Sequence, residues 1–84
     1  MTITVNFPDS LQALAGQTLT VTETVSTIGQ LIQALDRLKP GIALELDDPL
    51  YNIALNEEIL LHGVDAHAVK DGDVIEVVPS MAGG

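Results

Sequence analysis

The chain closes on Met81-Ala82-Gly83-Gly84, which carries the terminal carboxylate on two residues without side chains. Backbone that bare fits a channel too narrow for any side chain, and glycine reaches φ values closed to other residues. A partner enzyme can therefore draw the Gly84 carboxylate into a buried site and activate it there. Glycine pairs also end frayed tails, so this reading rests on the residues that precede the pair.

Other candidate constellations carry less. His62 and His67 lie five apart with Asp65 between them, but no third strong ligand follows at metal spacing, so they read as ordinary histidines and no metal site is expected. Asp47-Asp48 and Glu57-Glu58 read as solvated loop charges, with contact to a basic partner surface as the alternative. Asp71-Gly72-Asp73 is a turn signal and too short for a calcium loop. There is no glycine-rich phosphate loop, nucleophile elbow or zinc-protease motif.

Composition narrows the chemistry further. The chain has 84 residues, enough for one domain, and no cysteine. It cannot act through a thiolate or hold sulfur on a side chain, so any sulfur it carries must sit on a carboxyl group. Hydrophobic residues make up 46% and aromatics 2%, which demands an aliphatic core of Leu, Ile and Val. Three basic residues (Arg37, Lys39, Lys70) against twelve acidic ones leave a formal charge of −9, which disfavours nucleic acid and anionic membrane as partners. No apolar run has the length of a membrane span, and Met1-Thr2-Ile3-Thr4-Val5 lacks the features of a signal peptide, so a soluble cytoplasmic protein is expected.

The elements that must position the tail follow from periodicity. Thr2 to Phe7 alternates strictly, with Ile3, Val5 and Phe7 on one face, and Gln17 to Thr22 does the same with Leu19 and Val21. Between them, Leu11 to Gly16 has the length of a hairpin connection or one helical turn. Ile28, Leu31, Ile32, Leu35 and Leu38 form a helix stripe capped by Ser26 or Thr27 and ended by Pro40-Gly41. After an irregular stretch from Ile42 to Leu50, Tyr51 to Leu55 alternates, Asn56-Glu57-Glu58 turns, and Ile59 to Leu61 makes a short strand. Val74 to Val78 is the last strand, with Ile75 and Val77 inward and Val74, Glu76 and Val78 outward, and Pro79 closes it. The expected fold is α+β, a mixed sheet of about five strands with one main helix packed on one face. Residues 1–78 form the domain and 79–84 a flexible tail.

This order, followed by Gly-Gly, resembles the ubiquitin-like β-grasp proteins, and in detail the ThiS/MoaD-like sulfur carriers. The resemblance covers nearly the whole chain. It is carried by Ala54-Leu55-Asn56-Glu57-Glu58, by Val69-Lys70-Asp71-Gly72-Asp73 running into Val74-Ile75-Glu76-Val77-Val78-Pro79, and by Ala82-Gly83-Gly84. Glu57 departs from the glycine of many relatives, and Ser80-Met81 from their proline or alanine followed by a small or β-branched residue. Phe7-Pro8 with Leu11, Leu14 and Gly16 looks more like the CysO-type carriers than the thiamine branch.

The resemblance implies a β-grasp fold whose first and last strands pair in parallel at the centre, and a protein cosubstrate instead of an enzyme. An E1-like adenylyltransferase would bind the domain and ATP-Mg, and the Gly84 carboxylate would attack the α-phosphate to form an acyl adenylate. A persulfide would then displace AMP and leave a thiocarboxylate that donates sulfur to a downstream synthase. Molybdopterin, thiamine and cysteine are candidate products, with the small subunit of molybdopterin synthase one such role. Met81, Ala82 and Gly83 would thread into the partner, while Val78, Val74 and Leu60 are the candidate docking residues. ATP-Mg and the sulfur donor belong to the partner, and no cofactor is expected to be bound permanently. A ubiquitin-like modifier joined to lysines through Gly84 and a plain interaction module are the alternatives.

Overall fold

The alternating segments form a mixed sheet in the order β2-β1-β5-β3-β4. The strands are β1 (Ile3–Asn6), β2 (Thr18–Val21), β3 (Tyr51–Leu55), β4 (Glu58–Leu60) and β5 (Val74–Pro79) in a computed structural model that describes residues 1–80. β1 and β5 run parallel at the centre, with Val5 opposite Ile75, and the other pairings are antiparallel. This is the expected β-grasp arrangement.

The main helix, α2 (Ile28–Leu38), buries Ile28, Leu31, Ala34 and Leu35. These meet Ile3, Val5, Val21, Ile53, Ile75 and Val77 in one aliphatic core. Thr27 caps the helix: its side chain accepts the Gln30 N–H at 3.2 Å, while the Gln30 side chain accepts the Ser26 N–H at 2.7 Å. The first bond satisfies an N–H that a helix start leaves without an intrahelical partner, and the second ties down the residue before the cap. Leu38, the last residue of the expected stripe, is 51% exposed.

Two short helices accompany α2. The connection between β1 and β2 contains a 3₁₀ turn (Asp9–Leu11), which buries Leu11, and α1 (Gln12–Ala15), which buries Ala15. The stretch read as irregular contains α3 (Ile42–Leu46), anchored by the fully buried Ile42. α3 follows Gly41 at φ +104, and the Asp36 carboxylate of α2 accepts the N–H groups of both Gly41 and Ala43 at 3.0 Å. One helix thus caps the next.

The β3–β4 hairpin turns on two residues, Asn56 and Glu57, at φ +48 and +75. Two positive φ values are what a tight hairpin needs to match the twist of its strands. Leu55 therefore faces Glu58, Ala54 faces Ile59, and Ile53 faces Leu60.

Candidate functional site

The strand that leads to the terminal glycines is the middle one of five: β1 flanks it at Val74 to Glu76, and β3 alone runs beside it as far as Pro79. Pro79 sits opposite Tyr51, and the Ser80 N–H donates to the Leu50 carbonyl at 2.6 Å. The Tyr51 hydroxyl shares a 2.8 Å hydrogen bond with Ser10 Oγ, which ties the start of β3 to the 3₁₀ turn. Pro79 and Ser80 are thus bonded to the start of β3. Met81, Ala82, Gly83 and Gly84 lie outside the described residues. From Ser80, four residues at roughly 3.3–3.6 Å each reach at most about 14 Å.

The opposite end of β5 is fixed by a buried carboxylate. Asp73 is 4% exposed; its Oδ2 accepts the Lys70 N–H at 2.8 Å and its Oδ1 accepts the Asn56 amide at 3.0 Å. Burial by itself raises this carboxyl's pKa, but the Lys70 N–H, the Asn56 amide and the Lys70 ammonium together outweigh it and hold the pKa below its ordinary value. The Lys70 to Asp73 turn, expected from sequence, is thereby welded to the hairpin turn.

α2 covers one face of the sheet, and the other face carries the outward residues of β5. Its cross-strand rows set Thr4 beside Val74, Asn6 beside Glu76 and Ala54, and Val78 beside Asn52. Val74 is 39% exposed, Ile59 is 49% exposed, and Val78 is half-buried. Ile59 completes the Glu76–Ala54 row. The result is a surface in which Val74, Val78, Ala54 and Ile59 are interleaved with Thr4, Asn6 and Asn52 around the Glu76 carboxylate, lying along the strand that leads to the terminal glycines.

Leu60 does not belong to that surface. It is 8% exposed and packs in the core, because a two-residue turn sets it opposite Ile53 on the inward face. Its neighbours Ile59 and Leu61 take the exposed positions. Reading Glu58 as part of the turn hides this parity; Glu58 is already the first residue of β4.

His62 and His67 are both exposed, and His67 Nδ1 lies 3.1 Å from the Ala68 carbonyl. Among the described residues no group of three or more His, Asp or Glu side chains is arranged to hold a metal ion. No helix among them is long and apolar enough to cross a membrane.

The sequence profile of the ThiS family matches residues 5–84, the described fold and the terminal glycines together. The sulfur carrier protein CysO of Mycobacterium tuberculosis is 32% identical over an alignment that covers the whole of both chains. The crystal structure of Mycobacterium tuberculosis CysO superposes with a TM-score of 0.80 at 30% identity, covering 94% of this chain and 99% of that one. A chain of the BexX/CysO complex of Amycolatopsis orientalis gives 0.79 at 27% identity, covering 98% of this chain and 99% of that one. A profile spanning nearly the whole chain and a full-length relative at this identity carry the same conclusion: the chain belongs to the ThiS family.

Proposed function

We propose that this protein is a sulfur carrier whose working group is the carboxylate of Gly84. The observation that carries the reading is the full-length match to a sulfur carrier protein, in a family whose profile extends through Gly83-Gly84. The absence of cysteine supports it, since the terminal carboxyl is the group left to hold sulfur. The protein is a cosubstrate, and the catalytic groups belong to its partners.

In the first step a Gly84 carboxylate oxygen attacks the α-phosphorus of ATP-Mg in an E1-like adenylyltransferase. Pyrophosphate leaves and an acyl adenylate forms. A partner persulfide then attacks the acyl carbon and expels AMP, and a second thiol cleaves the resulting S–S bond, leaving the thiocarboxylate. That sulfur is the nucleophile for a downstream synthase. The CysO relatives favour a CysO-type acceptor over a role as the small subunit of molybdopterin synthase.

Docking falls to the open sheet face. Val74 and Val78, with Ile59 two strands away in the Glu76–Ala54 row, bury aliphatic surface against the adenylating partner, and Glu76 between the two valines selects a basic residue on it. Met81, Ala82 and Gly83, which follow the Ser80–Leu50 bond, thread the partner's channel.

The test uses the missing thiol. After incubation with the activating enzyme, ATP-Mg and a sulfur donor, a thiol-alkylating reagent should add to the C-terminal peptide. An unmodified C-terminal peptide under the same conditions would overturn the reading.

A further inference from the structure

A second surface lies on the helix side of the molecule. A groove of about 540 Å³ opens between α2 and α3, with Ile32 and Leu46 among its apolar lining and Asp36, Asp47 and Asp65 among its acidic lining. A smaller cavity of about 240 Å³ shares Ile32, Leu46, Asp47 and Asp65 with it and continues to the β3–β4 edge. No lysine or arginine lines either one. Leu44, at the side of the larger groove, is 79% exposed.

This groove is built from fixed parts. Asp36 is held by its two bonds to the start of α3. Asp65 sits in a 3₁₀ turn (Val64–Ala66) that leans on α2 at Gly29, where an added Cβ would lie 3.1 Å from the Asp65 carbonyl oxygen. Backbone bonds tie the segment that follows that turn to the start of α2, from the Ile28 N–H to the His67 carbonyl at 2.9 Å and from the Val69 N–H to the Ser26 carbonyl at 3.0 Å. The acidic positions therefore stand on a rigid frame around an aliphatic floor.

We propose that this groove is a second docking surface, and that its occupant is a partner segment both aliphatic and basic. Charge decides the occupant. An acidic wall without a cation calls for lysine or arginine, and the exposed Leu44 and half-buried Ile32 call for aliphatic side chains beside them. A second copy of the chain fits poorly, because each brings a formal charge of −9. The groove lies on the helix layer, away from Val74, Glu76 and Val78, so both surfaces can be occupied at once.

The experiment needs no sulfur chemistry, so its outcome is separate from that of the carrier reading. The full chain, labelled with nitrogen-15, is titrated with an amphipathic lysine–leucine peptide. Amide shifts should centre on Gly29, Gln33, Asp36, Ala43 and Asp65. Asp47→Asn with Asp65→Asn, and separately Leu44→Ser, should each weaken binding by about tenfold. Glu57→Gln with Glu58→Gln removes two charges at the hairpin and should leave binding within about twofold. Equal weakening by the hairpin pair, shifts centred on 74–78, or no saturable binding would overturn the proposal. So would groove shifts that depend on protein concentration without peptide, which would assign the groove to a second copy.

Discussion

Asn56 and Asp73, seventeen residues apart, close on each other: the Asn56 amide donates to the Asp73 carboxylate at 3.0 Å, and its carbonyl oxygen accepts the Val74 N–H at 2.9 Å. The hairpin turn and the first residue of the central strand are thus one unit. The strand that carries the tail root at one end is fixed at the other by a buried, charge-assisted network.

Asp73 makes this unit acid-sensitive. Its folded pKa lies below the ordinary value of 3.8, so its contribution is complete above that value and is lost as pH falls through the lower folded one. Thermal melting between pH 5 and pH 2 should show a steeper loss for the native chain than for Asp73→Asn. Parallel curves would count against the network. At neutral pH, Asp73→Ala should cost about 1–3 kcal/mol, because the Lys70 N–H and the Asn56 amide lose their acceptor.

Glu57 holds φ +75, a conformation that costs a side-chain-bearing residue roughly 1–2 kcal/mol. Glycine removes that strain but adds about 0.4–1 kcal/mol of unfolded-state entropy. Glu57→Gly should therefore stabilise the protein by about 0.5–1 kcal/mol in urea unfolding. A destabilised variant would mean that the Glu57 side chain makes a compensating interaction.

Much of the framework was legible from local pattern alone. Alternation marks β1, β2 and β3, the apolar run from Val74 to Val78 between a turn and Pro79 marks β5, and the i, i+3, i+4 stripe with Thr27 before it marks α2. The parallel pairing at the centre followed from the family resemblance. What escaped depends on partners distant in sequence or on parity. α3 is capped by Asp36 from the preceding helix, and no local motif announces that. Leu60 turned inward because the hairpin uses two residues and not three, and one residue of slip exchanges the faces of a strand. The open face was half legible: Val74 and Val78 were read from β5, whereas Ile59 replaced Leu60 once the register was known. The groove between α2 and α3 had no sequence signature, since it exists only where two helices and the Asp65 turn meet.

Surface and core residues on the same edge should separate cleanly. Ile59→Lys, on the exposed face, should raise KM for the adenylating enzyme with kcat and melting nearly unchanged. Leu60→Ala should lower stability by about 2–3 kcal/mol. Equal effects of both on KM would contradict the assignment of Leu60 to the core.

Gly29→Ala sets helix propensity against the approach of Asp65. Alanine gains up to about 1 kcal/mol in a helix interior and less in the first turn, where Gly29 lies, and here its Cβ would press on the Asp65 backbone carbonyl, whose turn is tied to α2 just beyond it. Net destabilisation, with shifted amides at Asp65 and Ala66, is expected from melting and NMR spectra. A stabilised variant would show that the turn yields.

The central claim is that sulfur resides on Gly84, and intact mass reads it directly. With the activating enzyme, ATP-Mg and a sulfur donor, the full chain should gain the difference between one sulfur and one oxygen atom. Deleting Gly84 should abolish the gain while leaving the melting temperature nearly unchanged. No gain in the full chain, or an equal gain in the chain lacking Gly84, would contradict the account.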